Sequence, residues 1–325
     1  MFVITLKNGK SFSCDESSTV LEAAKTAGIT LEHSCLSARC RSCMVKVDTG
    51  ATIDVNSEFV LSEKEKNNGF ILSCNAIPLS NLDLDVEDLG NVDLVKSRTI
   101  PCKISLIDRV SVDVIKLILR LPPTANFKFL PGQYVNLIKG NISRSYSIAS
   151  HPKSTTSLEF FIKNYNNGKM SDYWFHSAKN DDVLRLQGPL GTFFLRNKPN
   201  KNLIFLATGT GIAPINSILE ELKLLNLDSS KVTVVWGVRD EKSLFLDSLP
   251  FVGTEFYKVV SRPTKEWGGK IGYVQDVLIS LKDDLSDCVV YACGSNEMID
   301  SSRTLLISNG LDESDFYSDA FVSSN

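Results

Sequence analysis

Apolar and polar positions alternate over residues 2–14, the pattern of a two-stranded hairpin, and Asn8-Gly9 supplies its turn. In STVLEAAKTAGI the period changes. Val20, Ala23, Ala24 and Ala27 recur at helical spacing, Ser18 or Thr19 offers a cap, and Gly28 a stop. A short strand is expected at 43–47 with a turn at Asp48-Thr49-Gly50, and GNVDLVKSRTIP reads as a linker into a new strand. Over residues 101–195 the segments CKISLIDRV, VIKLILRL, YVNLI, SYSIAS, LEFFIKNY and VLRLQGP predict short strands between Pro, Gly and Asn turns, hence a barrel or sandwich. Past residue 200 the strands become continuously apolar: NLIFLAT, KVTVVWGV and CVVYACG. They alternate with helices, the first at about 212–226, so a parallel sheet with crossovers is expected.

A chain of 325 residues is too long for one ordinary core. The pattern divides it into segments 1–90, 98–198 and 199–325. The composition, 43% hydrophobic and 22% charged, is that of a soluble globular protein, and a net charge of −3 argues against a nucleic-acid partner. No apolar run approaches the roughly 18 residues of a membrane span. The opening MFVITLKNGK reads as a strand and not as a signal peptide, so a cytoplasmic protein that contacts no membrane is expected, its thiols reduced. Residues 1–90 carry 13 acidic against 8 basic side chains, and NLDLDVEDLG holds much of the excess. That stretch is either a solvated strand edge or a docking surface for a basic partner.

Three of the eight cysteines fall in HSCLSARCRSCMVKV, and a fourth follows in GFILSCNA. Cys35, Cys40, Cys43 and Cys74 make C-x4-C-x2-C-x30-C, the plant-type spacing for four thiolates on a [2Fe–2S] cluster. A zinc site is the alternative, but zinc knuckles come as two close pairs and here one end is a lone cysteine. Ser37, Ala38 and Ser42 are small enough to let amides approach sulfur. Arg39 and Arg41 flank an anionic centre and should favour its reduced form. His33 is expected at the surface, and Cys14, Cys102 and Cys288 as inert small hydrophobes.

On these residues the first segment resembles a plant-type ferredoxin domain. Such loops usually carry a glycine near Ala38 or Arg39, which this chain lacks. FLPGQYVNL, RSYSIAS, NNGKMSDYWF and GPLGTFFL resemble the flavin domain of the ferredoxin–NADP reductase family, and LATGTGIAP, GYVQDVL and YACGSNEMI its nicotinamide domain. The resemblance covers essentially the whole chain. It implies a β-grasp ferredoxin domain, an antiparallel β-barrel flavin domain and a Rossmann-like parallel α/β nicotinamide domain. Strand alternation sets Arg144 and Tyr146 on one face, and the resemblance puts Arg144 on the FAD pyrophosphate and Tyr146 against the isoalloxazine. Ser147 is implied at flavin N5, and Gly168, Lys169, Met170 and Ser171 at the pyrophosphate. Thr208, Gly209 and Gly211 form the G-x-G-x-x-P turn that approaches a dinucleotide pyrophosphate, with Pro214 where the usual fingerprint has glycine. Asp240 and Glu241 favour the ribose hydroxyl of NADH, while Arg239 and Arg262 leave NADPH open. Cys293, with Gly294, is implied beside the nicotinamide, and Phe321 as an aromatic closing the flavin pocket.

The resemblance thus implies an NADH-dependent reductase passing electrons through FAD and [2Fe–2S] to a partner protein. Two branches share the layout. One works with an iron–sulfur dehydrase in CDP-dideoxysugar synthesis, the CDP-6-deoxy-Δ3,4-glucoseen reductases, and is favoured. The other feeds multicomponent oxygenases. A reading of another class keeps the motifs without turnover, as a redox-sensing module.

Overall fold

The computed structural model describes residues 1–57, 60–90, 92, 94–153, 156–198 and 200–321. Asn91 and Asp93 of the expected linker, and the sequence after Phe321, lie outside the described residues. The chain divides into two compact units, residues 1–93 and 94–325.

The first unit opens with the expected hairpin, β1 (Phe2–Leu6) and β2 (Ser11–Cys14), turning through Gly9 at φ 80. Helix α1 (Val20–Thr26) follows behind a capping box: Thr19 Oγ1 accepts from Glu22 N at 3.3 Å, and the Glu22 carboxylate accepts from Thr19 N at 3.0 Å. Thr19→Ala should therefore cost about 1 kcal/mol, read as a lower urea midpoint for this unit's unfolding. An unchanged midpoint would show that the cap contributes nothing. Strands β3 (Met44–Thr49), β4 (Thr52–Asp54), β5 (Phe70–Leu72), β6 (Ala76–Pro78) and β7 (Leu82–Leu84) complete the unit, with helix α2 (Glu63–Asn67) before β5. The main sheet runs β2-β1-β7-β3-β5, with β1 and β7 parallel, and β4 pairs with β6 as a separate ribbon. Val20, Leu21, Ala23 and Ala24 of α1 are buried in one core with Ile4, Leu6, Leu82 and Leu84 of the sheet, a β-grasp arrangement.

Two expectations are corrected. The strand of NLDLDVEDLG is no edge: β7 lies between β1 and β3, with Leu82 and Leu84 buried and Asp83 outward. Its acids are also partnered within the unit, Asp85 by Lys7 at 2.8 Å and Asp88 by Lys10 at 2.7 Å. That weakens the case for a basic partner there. Strand β3 runs to Thr49, which moves the turn on to Gly50-Ala51.

The second unit begins with β8 (Arg98–Arg109), β9 (Val114–Arg120), β10 (Tyr134–Lys139), β11 (Ile142–Ser147), β12 (Ser157–Lys163), a short helix α3 (Lys169–Asp172) and β13 (Val183–Leu190). These strands form one antiparallel sheet, β11-β10-β13-β8-β9-β12, coiled about a core that includes Phe127, Phe160, Leu117 and Leu186. Its edge strands β11 and β12 approach each other without a ladder between them. The remainder is β14 (Asn202–Thr208), α4 (Ile212–Leu224), β15 (Val232–Val238), β16 (Glu255–Val260), β17 (Lys270–Ile271), α5 (Val274–Leu281), β18 (Cys288–Gly294), α6 (Asn296–Ser308) and β19 (Phe316–Ala320). All six strands run parallel in the order β17-β16-β15-β14-β18-β19. The chain reverses direction across the sheet at β14, so the turn after Thr208 opens at the switch point where such sheets bind ligands.

The two sheets of this unit share a core. Phe161 of the barrel packs on Phe245 at 4.9 Å between ring centres, and Phe193 on Tyr291 at 5.9 Å. Polar ties add register: Asn216 Nδ2 donates to Ala149 O at 2.9 Å, Ser217 Oγ to Ser150 O at 2.7 Å, and His151 pairs with Glu221. Helix α4 is thereby fastened to the segment that directly follows Ser147.

Candidate functional site

The cysteine loop joins α1 to β3 and turns left-handed three times, at Leu36 (φ 54), Ala38 (φ 59) and Arg41 (φ 60). None of the three is glycine, so each holds the left-handed backbone at a cost of roughly 1 kcal/mol. The turns aim amides at sulfur. Ser37 N and Arg39 N each donate to Cys35 Sγ at 3.4 Å, and Cys35 N donates to Cys40 Sγ at 3.4 Å. Cys74 comes from the tight turn between β5 and β6, held by Ser73 N donating to Cys43 O at 2.9 Å, and its Sγ lies 3.2 Å from Cys43 Sγ. Hydrogen bonding from Cys40, then from Ser37 and Arg39, outweighs burial and draws the Cys35 thiol down to about 5. Contact with Cys43 likewise lowers Cys74, while Cys43 itself is held up by that pairing and by burial.

The four thiols thus form two couples, Cys35 with Cys40 and Cys43 with Cys74. Among the described residues no three His, Cys, Asp or Glu side chains gather around a single ion position. One tetrahedral zinc needs four donors about one point. Two couples, with amides directed at sulfur, suit the two irons of a [2Fe–2S] cluster.

His33 is a correction. It is only 8% exposed, with Nδ1 2.9 Å from Leu31 O, and burial, helped by the charge of Lys25, lowers it to about 4. It packs beneath the loop as a neutral ring. Arg41 is no isolated surface charge either: it pairs with Glu65 and donates through Nη2 to Val60 O at 2.7 Å.

In the barrel, β11 places Arg144 and Tyr146 on one half-buried face and Ser147 on the other, 7% exposed. The Tyr146 hydroxyl accepts from Trp174 Nε1 at 2.8 Å, and the two rings meet edge-on at 6.2 Å. Trp174 was not singled out in the sequence, since nothing local ties residues 28 positions apart. The neighbouring turn surrounds a cavity of about 480 Å³ lined by Tyr165, Asn167, Gly168, Lys169 and His176 among others. Ser171 Oγ accepts from Tyr165 N at 3.0 Å, and a Cβ on Gly168 would meet both Ser171 Oγ and Tyr165 O at 3.1 Å. The remaining signatures interlock. Gln133 Nε2 donates to Gly191 O at 2.8 Å, and a Cβ on Gly132 would come within 2.3 Å of Phe193 O.

At the end of β14 the structure brings together Thr208, Gly209, Gly211, Cys293 and Gly294. A Cβ on Gly211 would sit 2.2 Å from Cys293 O, and one on Gly294 2.0 Å from Thr208 Oγ1. Phe321 N donates to Gly294 O at 2.7 Å, so Phe321 reaches the same corner. Cys293 is fully buried, and burial holds its thiol far above the usual range, with the charge of Asp319 adding to this. Asp319, 3% exposed and in register with Cys293 across β18 and β19, is a buried acid that no spacing along the chain marks. Asp240 and Glu241 follow β15. Asp240 Oδ1 accepts from Lys242 N at 3.2 Å, and the Glu241 carboxylate faces Thr264 N at 3.3 Å. Both acids therefore brace their own loop before any ribose arrives.

The fold and these sites define an iron–sulfur flavoprotein oxidoreductase that binds FAD, a [2Fe–2S] cluster and NAD. Family models agree segment by segment: a 2Fe-2S iron-sulfur cluster binding domain over residues 4–79, an oxidoreductase FAD-binding domain over 101–195 and an oxidoreductase NAD-binding domain over 205–304. The chain is 37% identical over 322 residues to the CDP-6-deoxy-L-threo-D-glycero-4-hexulose-3-dehydrase reductase of Yersinia pseudotuberculosis serotype I (strain IP32953), covering 98% of this chain and 97% of that one. It is 25% identical to the reductase component of the naphthalene 1,2-dioxygenase system of Pseudomonas putida, covering 99% and 98%. Among solved structures, the Amycolatopsis cytochrome P450 reductase GcoB shares the fold at a TM-score of 0.74 and 22% identity, over 99% of both chains. The chain belongs to the ferredoxin–NADP reductase-like family of iron–sulfur flavoprotein reductases with an N-terminal ferredoxin domain. No helix among the described residues is long and apolar enough to cross a membrane.

Proposed function

We propose that this reductase draws electrons from NADH and delivers them to the dehydrase of CDP-3,6-dideoxysugar synthesis. One observation carries the choice of partner. Identity to the dehydrase reductase is 37% over nearly the whole chain, against 25% and 30% for two oxygenase components of similar coverage. The domains run 1–90, 98–198 and 199–325. The four cysteines outside the proposed cluster set, Cys14, Cys102, Cys288 and Cys293, are buried free thiols, which fits a reducing compartment, the cytoplasm.

Bound FAD supplies the exchange between a hydride pair and single electrons, and the cluster a one-electron relay. The chain's own residues position them. Cys35, Cys40, Cys43 and Cys74 would ligate the irons, and the amides of Ser37 and Arg39, which donate to Cys35 Sγ, would share charge with that sulfur. Arg144 and the turn Gly168, Lys169, Met170 and Ser171 hold the FAD pyrophosphate. Tyr146, braced by Trp174, would support the flavin ring, and Ser147 would serve its N5 edge. Thr208, Gly209, Gly211 and Gly294 seat the dinucleotide, with Asp240 and Glu241 at its ribose. Cys293 would shape the nicotinamide pocket from within a dry core, and Phe321 would close the flavin pocket.

The test is anaerobic. Purified protein titrated with NADH and with NADPH should bleach flavin and cluster absorbance, NADH at the lower concentration. NADH oxidation should then accelerate when the dehydrase and its CDP-hexulose substrate are added. Acceleration with a ring-hydroxylating oxygenase and none with the dehydrase would move the protein to the other branch. Bleaching without any cytochrome c reduction would make it a sensor.

A further inference from the structure

We infer that Arg41 and Glu65 form a clamp that sets both the charge felt by the cluster and the closure of its loop. The inference rests on the ligand assignment proposed above. Arg41 stands between ligands Cys40 and Cys43 with its backbone left-handed at φ 60, a conformation an arginine holds only when its surroundings enforce it. Those surroundings are visible. Arg41 Nη1 pairs with Glu65, Nη2 donates to Val60 O at 2.7 Å, and Arg41 O accepts from Met44 N at 2.9 Å. The two side chains are 22% and 26% exposed, so water screens the pair only in part. Glu65 is itself fixed: its other oxygen accepts from Ser62 N and Ser62 Oγ, both at 2.7 Å, in the cap of α2. Val60 returns the contact by donating from N to Ala38 O at 3.3 Å, and Leu61 packs with Ala38, Cys43 and Leu72. The segment from Val60 to Glu65 is thus a wall of the cluster site, and Arg41 is its rivet.

Two consequences separate charge from fastening. An arginine alone beside an anionic cluster stabilises its reduced form, and the Glu65 carboxylate offsets that. Removing either partner therefore shifts the cluster's midpoint in opposite directions. Lysine keeps the charge but cannot reach both Glu65 and Val60 O, because it lacks the planar fork.

The experiment uses the full-length holoprotein with Arg41→Gln, Arg41→Lys and Glu65→Gln. The cluster midpoint is followed by EPR, and cluster loss by visible bleaching in excess chelator. Glu65→Gln should raise the midpoint and Arg41→Gln lower it, each changing the ratio of reduced to oxidised cluster several-fold at a fixed potential. Arg41→Lys should keep the wild-type midpoint yet lose its cluster about tenfold faster, the loss of roughly one charged hydrogen bond. Midpoints that move together, or that stay still while loss rates match wild type, overturn the clamp. Wild-type protein with no [2Fe–2S] signal would instead overturn the ligand assignment, and flavin bleaching by NADH reports that the rest of each variant is folded.

Discussion

Replacing Cys74 by alanine yields a protein whose flavin NADH still bleaches but which passes almost nothing to a one-electron acceptor. Cys74 is the proposed ligand that arrives from elsewhere in the chain, 31 positions after its couple Cys43. Alanine leaves three thiols, so one iron would keep a single protein ligand and an open position for solvent to fill. The turn that carries Cys74 is already built by backbone bonds, Ser73 N to Cys43 O at 2.9 Å and Asn75 N to Leu72 O at 2.8 Å, so the variant loses a ligand and not a strand. Because the cluster is also a cross-link between loop and sheet, its binding energy is folding energy for this unit. Iron content should fall to near zero, the unit should unfold at lower urea, and cytochrome c reduction should drop by more than about a hundredfold, beyond what loss of an outer-shell partner costs. The second unit has its own core and should keep FAD and its reduction by NADH. Stoichiometric iron in the alanine variant would remove Cys74 from the ligand set.

How far the sequence reached depended on whether a signal was local. The continuous apolar runs at β14, β15 and β18 announce strands buried on both faces, and every residue of β15 and β18 is indeed buried. The cysteine spacing is equally local, three of the four proposed ligands lying within nine residues. Helix α2 escaped notice for the same physical reason: EKEKN buries none of its residues, so no apolar stripe marks it. Its cap and the arginine across from it hold it instead, and Arg41 to Glu65 is a contact that no period predicts. Alternation in NLDLDVEDLG reported correctly which residues face inward, but it carries no information about neighbours in the sheet. The strand therefore passed for an edge while lying in the interior. His33 shows the converse error. A polar residue is expected outside unless its partners are known, and the Leu31 carbonyl two residues back became its partner only once the loop folded. In the flavin domain, the order and spacing of the signatures carry the resemblance. Their reason for being together, Gln133 bonding Gly191 and Trp174 bracing Tyr146, is tertiary.

The glycines after β14 show the same limit and give the sharpest test of the nicotinamide site. The motif treats Gly209 and Gly211 alike, yet the structure needs them for different reasons. Gly209 has φ 53 and open space around its missing Cβ, so alanine there suffers mainly the left-handed backbone, on the order of 1 kcal/mol. Gly211 has an ordinary helical backbone at φ −60, but its Cβ would lie 2.2 Å from Cys293 O and 2.7 Å from Cys293 C. Those are main-chain atoms of β18, hydrogen-bonded in the middle of a parallel sheet, and they cannot rotate aside. Gly211→Ala must then push the turn away from Cys293 and Gly294 by about an ångström, at 1–3 kcal/mol or more in overpacking. A displacement of that size between reacting groups costs about a hundredfold in rate. Stopped-flow reduction of the flavin by NADH should therefore slow by about a hundredfold in Gly211→Ala and far less in Gly209→Ala, while both keep full cluster EPR. If Gly211→Ala bleached its flavin at the wild-type rate, the turn after β14 would not be where the nicotinamide cofactor is held, because the added methyl must displace that turn from Cys293 and Gly294.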